Sequence, residues 1–117
     1  MHDSWRKINK ELLGNVTWES NVERAVQDAD AIIALRLQKE RMDDALLPSM
    51  REYRNFFGVT DKVLSQAKDS TLIMHPGPIN RGVELDSDVA DGTHSVILDQ
   101  VTNGVAVRMS VLFLLSG

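Results

Sequence analysis

A chain of 117 residues, 43% hydrophobic and 26% charged, makes one domain at most and can bury a modest core. Its net charge of −4, with no basic stretch and no aromatic platform, argues against a nucleic-acid partner. Cysteine is absent, which excludes disulfides and thiolate metal sites, and His2, His75 and His94 are scattered without ligand spacing, so no metal or other cofactor is expected.

Met1-His2-Asp3-Ser4-Trp5 opens a charged segment rather than an apolar one, which reads as no signal peptide and a cytoplasmic address. Residues 4–13 put Trp5, Ile8 and Leu12 on one helical face, with Gly14 as the stop. Residues 15–19 read as a short strand. Ser20 and Glu23 then have capping-box spacing, and Val22, Ala25, Val26 and Ala29 give the stripe of an amphipathic helix. The apolar run 31–35 has the pattern of a strand covered on both faces. Ser49 and Glu52 make a second capping box, with Met50, Tyr53 and Phe57 as the stripe and Gly58 as the end, and Thr60 caps a third helix running through Lys68. Residues 71–74 form the next buried strand, 94–98 a last short one, and 102–115 the closing helix. The apolar part of that helix, 105–115, is eleven residues long and contains Arg108 and Ser110, short of the ~20 that a bilayer requires. It therefore reads as a buried helix, with no membrane partner. Strands alternating with helices predict an α/β fold with a parallel sheet and helices on its faces.

Two segments stand at predicted strand ends, where parallel sheets bind their ligands. In Met74-His75-Pro76-Gly77-Pro78, each proline fixes its own φ and pushes the residue before it towards an extended conformation. Gly77 allows a ligand to approach the main chain, and Gly77-Pro78 is a candidate cis bond. A plain strand-to-loop turn explains this segment alone equally well. The second segment is Leu35-Arg36-Leu37-Gln38-Lys39-Glu40-Arg41. Arg36 and Gln38 are two apart and point the same way if strand geometry continues through them. A guanidinium fork matches a carboxylate and a neighbouring amide donates to another oxygen, so a dicarboxylate would suit the pair.

The series Arg36-x-Gln38-x-Glu40-Arg41, His75-Pro76-x-Pro78 and Gly104-x-x-x-Arg108, in that order, resembles aspartate carbamoyltransferase from about Trp5 to Leu115. The resemblance implies a Rossmann-like domain, a three-layer parallel sheet with helices on both faces, truncated at its N-terminus. Residues 1–117 would be a single partial aspartate-binding domain, less than half of the family's catalytic polypeptide, with the carbamoyl phosphate domain absent. L-Aspartate and carbamoyl phosphate are the implied partners. By matching positions, Arg36 and Gln38 would bind the aspartate carboxylates, the carbonyls at Pro76 and Gly77 would accept from the carbamoyl amino group, and Glu40 and Arg41 would brace the arginine and its loop. Lys39 has no assigned role. An exposed ion pair explains Arg81 and Glu84 as well as any function does, and snorkelling explains Arg108.

The family's phosphate-binding Ser-Thr-Arg-Thr stretch is absent, so the resemblance puts no catalytic residue in this chain and implies no turnover by it alone. A domain begun within its first helix would lack its first strand and leave sheet edges open, which predicts self-association or a companion chain. A monodisperse monomer at tens of micromolar would contradict that. A non-catalytic binding or scaffold module is the alternative reading. An ornithine enzyme is disfavoured, because those carry a cysteine in the loop occupied here by His75-Pro76-Gly77-Pro78.

Overall fold

The structure, a computed structural model, describes residues 14–37 and 49–116. The helix expected over 4–13 lies outside them. Within the described residues the order is α1 (Val22–Ala25), β1 (Ala31–Ile33), α2 (Met50–Phe57), α3 (Asp61–Leu64), β2 (Leu72–Met74), α4 (Ser87–Ala90) and α5 (Ile97–Ser116). β1 and β2 pair in parallel, with Ile32 opposite Ile73 and Ile33 opposite Met74. A third segment adds to the far edge of β2 through Ile73 N–H to the His94 carbonyl (2.8 Å) and Val96 N–H to the Ile73 carbonyl (3.0 Å). The result is an α/β arrangement of parallel strands with helices, as the alternation predicted.

Local chemistry explains most of the boundaries. α2 has the predicted capping box, with Ser49 Oγ accepting from Glu52 N–H and the Glu52 carboxylate accepting from Ser49 N–H. Gly58 ends it, its N–H donating to the Arg54 carbonyl. Thr60 caps α3 as expected, but that helix closes at Leu64 rather than reaching Lys68. The cap of α1 is Asn21, one residue beyond the predicted Ser20, and its side-chain oxygen accepts from Arg24 N–H. α1 stops after one turn because the chain enters the left-handed region at Asp28 (φ 60°), a conformation that Asp tolerates better than most residues. The segment 15–19 is not a strand: it has no ladder partner among the described residues, and Val16 and Trp18 are exposed.

The core gathers Val26, Val59, Val63, Ile73, Leu85, Val89, Ala90 and Ile97 around the inner face of the sheet. Side chains alternate across the strands. Ile32 and Ala34 turn inward, whereas Ile33 is 63% exposed and Leu35 and Leu72 are exposed with it. The cover on both faces that the apolar run predicted at 31–35 is therefore not met at these residues. The larger departure is α5. It begins upstream of the predicted start, runs for 20 residues with a mean hydropathy of 1.2, and is long and apolar enough by those measures to cross a bilayer. It carries Asp99 and Arg108. It is also not buried: Ile97 is its one buried residue, and Leu112, Phe113, Leu114 and Leu115 are exposed. Counting only the unbroken apolar run missed the polar first turns, where Ile97 joins the core and Gln100 holds His75 just past β2.

Gly58 is needed for a close approach rather than a turn. A Cβ there would lie 2.6 Å from the Arg54 carbonyl oxygen and 2.9 Å from that of Val83, both fixed backbone. The approach lets Val59 N–H reach the Glu84 carbonyl (3.0 Å) and Asp86 N–H reach the Val59 carbonyl (3.1 Å), tying the end of α2 to the segment before α4. Gly58→Ala is expected to destabilise the fold by about 1–3 kcal/mol, the usual cost of overpacking, read as a lower urea midpoint with an unchanged slope.

Candidate functional site

The parallel register sets the carboxyl ends of β1 and β2 side by side, and pairing runs one step further through Ala34 N–H to the Met74 carbonyl (3.0 Å). Arg36 leaves one strand and Pro76-Gly77 leaves its neighbour, so the two predicted segments emerge at the same end of the sheet. Arg36 is half-buried. Gln38, Glu40 and Arg41, which complete the predicted set, lie outside the described residues.

The loop after β2 is held from within. His75 is fully buried; its N–H donates to Gln100 Oε1 in the first turns of α5 (2.8 Å), and its Nδ1 accepts from Gly77 N–H (2.8 Å). With Nδ1 accepting, the ring proton sits on Nε2, which donates to Glu84 Oε1 at 3.2 Å. The same carboxylate oxygen accepts from Asn80 N–H at 2.7 Å, and Glu84 is only 2% exposed. Asn80 then reaches across to the other segment, its Nδ2 donating to the Leu37 carbonyl at 3.0 Å.

Gly77-Pro78 is cis, as the sequence suggested. Gly77 itself has φ 68°, not the extended backbone expected before a proline, and a residue without Cβ adopts that conformation without strain. Nothing lies within 4 Å of where its Cβ would be. Pro76 and Pro78 are exposed, and among the described residues no hydrogen bond uses the carbonyls of Pro76 or Gly77. Among the described residues these two carbonyls are therefore open acceptors on a loop whose His75, Gly77 and Asn80 N–H groups bond back to the protein, at the same end of the sheet as Arg36. This arrangement can take a ligand with an N–H donor at one end and an anionic group at the other.

Arg81 and Glu84 do not form a pair of their own. Arg81 makes a two-pronged bond to Asp91 (2.6 and 2.8 Å) at the surface, and Glu84 turns inward to His75 and Asn80. In the third motif the Arg108 guanidinium folds back over Gly104, with Nη1 3.3 Å from where a Cβ would stand, a proximity that i, i+4 spacing permits. Asn80 and Gln100 were not predicted as site residues. Their signal was only that of amide side chains close to the loop and to the start of the last helix, a type that readily bonds loop backbone. A cleft of about 510 Å³ between Ile79, Arg81, Asp91 and the start of α5 includes none of Arg36, Pro76 or Gly77. Among the described residues no group of three or more His, Asp or Glu could hold a metal.

Residues 1–115 match the family described as aspartate/ornithine carbamoyltransferase, Asp/Orn binding domain. The chain belongs to this family. It is 63% identical over 98 residues to the aspartate carbamoyltransferase catalytic subunit of Desulfotalea psychrophila, covering 84% of this chain and 31% of that one. The Gemmatimonas aurantiaca catalytic subunit is 64% identical over 102 residues, or 87% of this chain and 32% of the relative. The chain thus spans about a third of the length of these curated carbamoyltransferases. Among solved structures, Trypanosoma cruzi aspartate transcarbamoylase in complex with carbamoyl phosphate superposes with a TM-score of 0.64 at 29% identity, over 77% of this chain and 27% of that one. Pyrococcus furiosus ornithine carbamoyltransferase gives 0.65, also at 29% identity, over 79% and 29%. The Campylobacter jejuni anabolic ornithine carbamoyltransferase reaches 0.76 over 99% of this chain and 39% of its own, at 18% identity, which speaks to fold alone.

Hydrogen bonding to Arg81 holds the Asp91 carboxyl below its ordinary value of 3.8. A lowered folded-state value means the pair contributes fully above about pH 4 and loses its contribution as pH falls through the depressed value. Asp91→Asn is therefore expected to lower stability slightly at neutral pH and to unfold like the parent at the acid end, followed by urea titration across pH.

Proposed function

We propose that this chain is the aspartate-binding part of an aspartate carbamoyltransferase, which forms N-carbamoyl-L-aspartate and phosphate from L-aspartate and carbamoyl phosphate. The observation that carries the reading is the placing, at adjacent strand ends, of Arg36 and the Pro76-Gly77 loop, whose two carbonyls take no hydrogen bond among the described residues. The naming of its 54–64% identical relatives as aspartate carbamoyltransferase catalytic subunits supports aspartate as the amino acid.

In this reading the Arg36 fork takes a carboxylate of aspartate, with Gln38 on a further oxygen and Glu40 and Arg41 bracing the arginine, roles that the resemblance supplies. The Pro76 and Gly77 carbonyls accept from the amino group of the carbamoyl unit, presenting its carbon to the aspartate amine. The amine nitrogen bonds to that carbon, the carbon–oxygen bond to phosphate breaks with its electrons leaving on phosphate, and the amine gives up a proton. The chain's contribution is position. Stabilising the tetrahedral oxyanion and the departing phosphate falls to groups that this chain does not contain, so activity requires a carbamoyl phosphate-binding part.

The exposed apolar surface of α5 and the uncovered Ile33, Leu35 and Leu72 support self-association or a companion chain rather than a membrane. Asp99, Gln100, Asn103 and Arg108 on the same helix suit a protein partner better than lipid. β1 adds an edge that is paired on one side among the described residues.

The test seats this chain in place of the matching part of the Desulfotalea psychrophila catalytic subunit. Aspartate-dependent turnover is expected, with no turnover of ornithine. Arg36→Ala should lower kcat/KM for aspartate by about 100-fold or more, since it strips the partner from a desolvated carboxylate. A folded hybrid that binds carbamoyl phosphate but does not respond to aspartate, or an Arg36→Ala variant as active as its parent, would overturn the assignment.

A further inference from the structure

The resemblance assigns ligand contacts to Arg36, Gln38, Pro76 and Gly77 but leaves open what keeps the arginine segment in register with the carbonyl loop. We infer that Asn80 is the positioning residue that locks these two halves of the pocket together, a role that rests on the aspartate-binding reading. Its main chain and its side chain bond to different segments. The backbone N–H donates to Glu84 Oε1 at 2.7 Å, and the carboxamide Nδ2 donates to the Leu37 carbonyl at 3.0 Å, 43 residues away in the chain.

The first bond ends on an anchored group. Glu84 is buried and receives His75 Nε2 on the same oxygen, while His75 Nδ1 receives Gly77 N–H. A continuous path therefore runs from Gly77 through His75, Glu84 and Asn80 to the carbonyl of Leu37, the residue directly after Arg36. Hydrogen-bonded paths of this kind transmit a fixed spacing because each link tolerates only a few tenths of an ångström before weakening. The spacing fixed here separates the groups that would face the carbamoyl unit from the cation that would hold the amino acid's carboxylate.

An amide side chain suits the task because it donates to one carbonyl without adding charge beside the Glu84 carboxylate. Aspartate at the same position has nearly the same shape, but it presents an acceptor to the Leu37 carbonyl and a negative charge near Glu84. The chain without that link would still fold around its core, since neither Asn80 nor Leu37 belongs to the buried cluster. What it would lose is the relative placement of Arg36.

The experiment uses the hybrid catalytic subunit described above, with Asn80→Asp and Asn80→Ala. Both are expected to raise KM for aspartate about tenfold, the worth of one well-placed hydrogen bond, while KM for carbamoyl phosphate stays within about twofold. A merely structural role would lower the amount of active enzyme, and so kcat, without moving KM for aspartate. The alanine variant stands in if the added charge prevents folding. An active parent whose variants keep KM for aspartate within about twofold overturns the role of Asn80 alone. A folded parent with no aspartate-dependent turnover overturns the functional reading, and this role with it.

Discussion

A buried carboxylate controls the shape of the site. Glu84 is almost wholly removed from water, and one of its oxygens takes both the ring of His75 and the main chain of Asn80. Burial of a polar group is costly unless it is hydrogen-bonded, and a carboxylate exacts more than a neutral group. Its second oxygen has no partner among the described residues, so the loop is bound to an acceptor that still has capacity to spare. The loop cannot move outward without abandoning Glu84 to an apolar core. That penalty, rather than proline stiffness alone, keeps the carbonyls of Pro76 and Gly77 in place.

The apparatus that buries Glu84 reaches well beyond the loop. Gly58 admits the main chain of Val59 against the Glu84 backbone, and Arg54 grips Asp86 with two bonds of 2.9 and 2.7 Å from the last turn of α2. Gln100 secures His75 from the start of α5. The site is therefore braced by helices on either side in sequence, while the outer turns of α5 make no hydrogen bond to it among the described residues. The helix divides into a working first third that meets β2 and an apolar remainder that is exposed.

Where chemistry is local, the sequence was legible. The capping box at Ser49 and Glu52, the stop at Gly58 and the cap at Thr60 depend on residues within one turn of each other, and each stands where the spacing put it. The two parallel strands were readable from their apolar runs, within two residues of their ends, whereas 15–19 made no strand and Ile97 and Leu98 of the expected 94–98 strand belong to α5. What escaped was non-local. Glu84 and Arg81 looked like surface charges because nothing in their spacing reveals that one faces His75 and the other Asp91. The link from Asn80 to Leu37 joins residues 43 apart and leaves no periodic trace. Burial of α5 was overestimated for a related reason: hydrophobicity says that a surface seeks cover, not whether the rest of this chain can supply it.

The position of β2 within the sheet has its own consequence. Its N–H and C=O groups are engaged on one edge by β1 and on the other by residues 94–96, with Ile73 wholly inaccessible to solvent. Amides of such a central strand exchange with solvent only through the larger opening events of a protein, whereas edges and helix ends fray at little cost. The loop bearing Pro76 and Gly77 is thus suspended from the part of the molecule that opens last. Partial fraying at β1 or along the outer turns of α5 would leave that loop's shape intact, so the carbonyl loop and the cooperative core should be lost as one unit, whereas Arg36 at the end of β1 is open to earlier fraying.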